Sequence, residues 1–80
     1  MNISQAVIHR IEELCRERHL SINALSNLSG VTQSTVNDIM SGKTYNTGIG
    51  TLKKLCDGLG ISVRDFFDSE LFIDLEQELK

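Results

Sequence analysis

The sequence predicts an all-α fold, a compact bundle of about five short helices. Three observations carry that expectation. Apolar residues recur at spacings of three and four along most of the chain, the pattern of one helix face, while strand-like alternation is scarce. Proline is absent. Glycines stand where the apolar runs stop, at Gly30, Gly42 and Gly60, and glycine readily adopts the left-handed backbone that ends a helix.

The elements follow in order. A first helix is expected from about Ser4 to Arg18, with Val7, Ile8, Ile11, Leu14 and Cys15 turned inward. Ser21 is a good N-cap for a second, whose inward residues are Ile22, Leu25 and Leu28 with Ala24 beside them. Gly30 closes it. Thr32 can cap a third helix with Val36, Ile39 and Met40 as its inner stripe, ending at Gly42. Two helices joined by so short a turn must cross steeply, which is helix-turn-helix geometry at the centre of the bundle. A polar loop over 42–47 leads to a fourth helix, about Ile49 to Leu59, with Ile49, Leu52, Leu55, Cys56 and Leu59 inward. Ser62 can cap a short fifth helix carrying Val63, Phe66 and Phe67.

The chain divides by charge rather than by a linker. Its 80 residues carry a net charge of −3. Residues 1–67 hold seven Lys/Arg against six Asp/Glu, whereas residues 68–80 hold one Lys against five acids. A helical domain over 1–68 and an acidic tail over 69–80 are therefore expected. In the tail, Leu71, Phe72, Leu75 and Leu79 fall at helical spacing against Asp74, Glu76, Gln77 and Glu78. An amphipathic C-terminal helix follows. It either folds back on its own core or offers a dimer or partner surface, made of Phe66, Phe67, Leu71, Phe72, Leu75 and Leu79. The acidic tail is expected to sit away from any bound phosphate.

Composition narrows the function. No apolar run approaches the roughly 20 residues of a membrane span, and no basic stretch leads into an apolar signal segment. A cytoplasmic setting is expected. Cys15 and Cys56 sit among apolar neighbours and read as core residues. Without a Cys-x-x-Cys pair or a close histidine partner, no metal site is expected. No catalytic Ser/His/Asp or Cys/His arrangement, phosphate-binding glycine loop or paired carboxylate stands out. An enzyme, a cofactor and a small-molecule ligand are therefore not expected. The outer face of the third helix carries Gln33, Ser34, Asn37, Asp38 and Ser41, side chains of the size and chemistry to reach DNA base edges.

Leu25, the small Ser26, Gly30, Val31, Val36, Ile39 and Ser41-Gly42-Lys43 stand in a specific order. Thr51-Leu52-Lys53-Lys54-Leu55 and Asp57-Gly58-Leu59-Gly60-Ile61-Ser62 follow them. The whole pattern, roughly Ile8 to Phe67, resembles the phage-repressor/Cro-type helix-turn-helix family, often called XRE-like. Ser26 replaces the usual alanine, and Asn46-Thr47-Gly48 stands where a proline is frequent.

The resemblance implies a lambda-repressor-like bundle and a sequence-specific DNA-binding transcriptional regulator. It would act as a repressor and a homodimer, reading the major groove of double-stranded DNA with residues 33–41. Gln33 is the leading base contact, because glutamine can bond bidentately to adenine. Ser34, Asn37 and Asp38 are further base candidates. Phosphate contacts are expected from Asn27, Thr32, Lys43, Thr44, Tyr45, Asn46 and Gly48, at helix ends and in the loop, where amides and a cation face the backbone. With so few cations, non-specific binding should be weak and the salt slope shallow. The alternative is an antitoxin-like or regulatory module on the same fold that binds a protein partner.

Overall fold

The computed structural model describes residues 1–79. It holds five helices: α1 (Ile3–Glu17), α2 (Ile22–Ser29), α3 (Gln33–Met40), α4 (Ile49–Leu59) and α5 (Val63–Phe67). A single 3₁₀ turn, Glu70–Phe72, follows. No strand occurs among the described residues.

Side-chain caps set most of the boundaries. Asn2 accepts from the Gln5 N–H while Gln5 accepts from the Asn2 N–H, a capping box that starts α1 one residue earlier than expected. Ser21 and Thr32 accept from Ala24 and Thr35 N–H, as the sequence predicts. Ser62 and Asp65 form a second capping box on α5. Gly30 and Gly60 close α2 and α4 at φ 72° and 74°. The end of α1 uses no glycine. There His19 takes the left-handed position at φ 54°, with His19 N–H bonded to Arg16 C=O and Leu20 N–H to Cys15 C=O. Those two bonds are a Schellman motif, which glycine would fill without a Cβ penalty.

One core joins the helices. Ile11, Leu25, Val36, Leu55, Cys56 and Phe66 are its most enclosed side chains, with Val7, Leu14, Cys15, Val31, Ile39, Leu52 and Leu59 around them. Burial pushes the pKa of both thiols up, so they stay protonated core groups. Helices α2 and α4 pack most closely. At Gly58 a β-carbon would lie 2.9 Å from the backbone of Ser29, so only glycine permits that approach.

Three expectations about facing are corrected. The inward row of α2 is Ile22, Leu25, Ser26 and Ser29. Leu28 lies roughly 110° from its centre and is 59% exposed. Ile49 opens α4 one turn before its first core side chain, Leu52, and is 85% exposed because no element covers it. Ile8 is half-buried rather than enclosed.

The expected tail helix does not form. The chain turns at Glu70–Phe72 and seats Phe72 against Phe66 and Phe67, with ring centroids 6.0 and 4.8 Å apart. Residues 73–79 then run without helix past the start of α1, where Glu76 N–H bonds to Met1 C=O at 3.1 Å. Seven residues are too few to hold an isolated helix in water, and the backbone finds a partner on α1's flank instead. Phe66 is fully buried, so it belongs to the core and not to an outward surface.

A candidate nucleic-acid interface

Helix α3 stands on α2 through one buried polar contact. The Ser26 hydroxyl donates to the Val31 carbonyl in the turn, at 2.5 Å. Serine therefore gives close helix contact and also satisfies a backbone acceptor that alanine would leave. Val36 and Ile39 anchor the inner side of α3, and its opposite side is open.

On that open side Gln33, Ser34 and Asn37 are exposed, with Gln33 and Asn37 one turn apart. Asp38 is half-buried, and its carbonyl receives Thr44 N–H at 3.0 Å and the Ser41 hydroxyl at 3.3 Å. Gln33 does not hang free. Its Nε2 donates to Asn23 Oδ1 on the first turn of α2. That partner was not expected from sequence, because ten residues separate the two and only the steep crossing brings both helix starts together. Asn23, Asn27, Thr32 and Gln33 border an open cleft of about 450 Å³ between α2 and α3.

The loop after α3 supplies the flank. Gly42 turns the chain at φ 80°, and Lys43 follows, exposed. Thr44 is half-buried, and Tyr45 and Asn46 are exposed. Gly48 is the N-cap of α4 and makes no side-chain cap bond, so the first amides of that helix stay unfilled by the chain's own side chains. Every other helix has a capping side chain.

Two of the arginines are withdrawn from this surface. Arg10 donates from Nε to the Phe66 carbonyl at 2.7 Å and from a terminal nitrogen to Asp65 C=O at 2.9 Å. Arg18 donates from Nε to Leu59 C=O at 2.9 Å. Both fasten α1 to the ends of later helices. Lys53 pairs with Asp57 on α4, which raises its pKa. Lys43, by contrast, takes part in none of the ion pairs among the described residues.

One expectation about the surface fails. The acidic tail reaches it: Tyr45 donates its hydroxyl to Glu78 Oε1 at 2.5 Å. That hydrogen bond, with slight burial and the charges of Glu78 and Glu76, raises the Tyr45 pKa. Of the residues expected to form a partner surface, Leu71, Phe72 and Leu75 are half-buried, and Phe67 and Leu79 remain exposed.

Comparison with known proteins agrees with this geometry. Residues 2–70 match the family described as the Cro/C1-type HTH DNA-binding domain. The chain is 31% identical over 58 residues, 72% of each protein, to the SPbeta prophage-derived uncharacterized HTH-type transcriptional regulator YotL of Bacillus subtilis (strain 168). Its fold matches the crystal structure of the prophage Lp1 protein 11 with a TM-score of 0.81 and 37% identity, over 94% of this chain and 100% of that one. This chain belongs to the Cro/C1-type helix-turn-helix DNA-binding family.

Proposed function

We propose that this member of the Cro/C1-type family is a sequence-specific transcriptional regulator, a repressor that reads the major groove with α3. The observation that carries the reading is the exposure of Gln33, Ser34 and Asn37 on the outer face of α3, with Gln33 held by Asn23 at its leading end. A glutamine amide with one N–H already engaged keeps a second N–H for adenine N7 and its oxygen for adenine N6. Ser34 and Asn37 read the neighbouring bases. Asp38 can accept from cytosine N4, and it repels phosphate, so it selects sequence more than it adds affinity.

Phosphates flank that face. Lys43 supplies the cation, and the uncapped start of α4 at Gly48 supplies amides to an anion. Asn27, Thr32, Thr44, Tyr45 and Asn46 supply hydroxyls and amides around them. Such contacts set register, while the α3 side chains set sequence. A relative named as a transcriptional regulator supports the same reading. Two copies bind as a homodimer on a palindrome, through the exposed apolar residues Phe67 and Leu79 and the half-buried Leu71 and Leu75.

Backbone amide shifts recorded while duplex DNA is added test this reading. The largest changes should fall on residues 33–38 and 43–50. An α3 that stays silent as DNA is added would instead favour a protein-binding module.

A further inference from the structure

The Tyr45 hydroxyl has one proton to donate. In this fold the Glu78 carboxylate takes it, at 2.5 Å. A DNA phosphate is also an acceptor only, so carboxylate and phosphate cannot both hold that proton.

The tail is placed to make the contact. Phe72 pins its start against Phe66 and Phe67, and Glu76 N–H is bonded to Met1 C=O. Glu78 follows two residues later. Tyr45 lies on the same side of the molecule, bordering a groove of about 250 Å³ together with Ile3, Ser4 and Val7 of α1. The tail residues 68–80 carry five acids and one lysine, the charge sign of the DNA backbone itself.

We propose that the acidic tail is an autoinhibitory strap: Glu78 occupies the Tyr45 hydroxyl in place of a DNA phosphate and must be released when the loop docks on a duplex. This rests on the reading of Tyr45 as a phosphate contact. The strap weakens binding to any sequence, because its competitor is the phosphate and not a base. The same cost falls on specific and random sites alike, so the strap lowers affinity and leaves the ratio between sequences unchanged. The near-neutral body makes the effect larger in proportion, because few cations compete with it for control of affinity.

The test compares full-length variants on a random-sequence duplex at fixed low salt. Glu78→Gln removes one tail charge and weakens the hydrogen bond to Tyr45. Asp74→Asn removes the same charge from a tail residue whose side chain makes no hydrogen bond or ion pair among the described residues. Glu78→Gln should tighten binding about two- to fivefold beyond Asp74→Asn, the range open to one exposed charged contact. In a Tyr45→Phe background that excess should vanish. Equal gains from the two tail variants would overturn the strap and leave only bulk charge.

A second readout needs no DNA. Tyr45 is the only tyrosine and the chain has no tryptophan, so ultraviolet absorbance follows its ionisation alone. Glu78→Gln should lower the Tyr45 pKa. An unchanged titration would mean the contact is not held in solution and would overturn the strap while leaving the DNA reading intact. A lowered pKa with no DNA binding by any variant would sink the phosphate role, and the strap with it.

Discussion

Replacing Gly58 by alanine tests the packing that holds the helix-turn-helix pair to its scaffold. Gly58 lies inside α4, where alanine is ordinarily preferred to glycine by about 1 kcal/mol. On local propensity alone the substitution should stabilise. The structure gives the opposite sign. The new β-carbon would stand 2.9 Å from Ser29 N, Cα and Cβ, and two of those atoms are backbone that cannot rotate away. Relief requires α2 to move off α4, and forced overpacking of this kind costs about 1–3 kcal/mol. Set against the propensity gain, the net loss should be up to about 2 kcal/mol, with a fall in Tm of about 4–8 °C for each kcal/mol in a domain of this size. Gly50 is the control within the same helix, since a β-carbon there meets nothing within 4 Å. Gly50→Ala should leave stability unchanged or raise it by up to about 1 kcal/mol. Circular dichroism melts of both variants, with urea midpoints as a check, read the difference directly. Gly58→Ala melting at or above the parent would refute the close approach of α2 to α4, and with it the placement of the whole pair.

Three further outcomes are expected. Gln33→Ala should flatten base preference at one position of each half-site in a binding selection with little change in Tm, because the side chain is exposed; an unaltered preference would remove it from the reading face. Lys43→Ala should weaken binding to all sequences alike and reduce the slope of log K against log salt by about one, and an unchanged slope would count against a phosphate contact. His19→Gly should stabilise by about 0.5–1 kcal/mol in urea unfolding, since the left-handed cost of a residue with a Cβ is larger than the added chain entropy of glycine; a loss of stability would mean that position is not left-handed in solution.

Most of the architecture was legible because it is local. Ser21, Thr32, Gly30 and Gly60 act where they stand in sequence, through bonds to amides three residues away or through their own backbone. The errors lie where tertiary contact decides. Leu28 fits a helical spacing but falls outside a row completed by Ser26 and Ser29, small polar residues that a hydrophobic pattern passes over. The tail has helical periodicity, yet Phe72 is drawn to Phe66 and Phe67 and the backbone after it is too short to hold a helix. Arg10 and Arg18 counted equally with Lys43 as cations, although both spend their donors on carbonyls of distant helices. For the candidate site, the outer face of α3 followed from periodicity, whereas Asn23 beside Gln33 and Glu78 beside Tyr45 join residues 10 and 33 positions apart. Nothing in the composition signals such pairings.

Selection from randomised duplex DNA by the full chain, followed across a salt series, tests most directly that α3 reads sequence. The expected result is a palindrome with half-sites about one helical turn apart, bound with a shallow salt slope. No enrichment of any sequence, even at low salt, would contradict it and would turn attention to a protein partner for the Phe67–Leu79 surface.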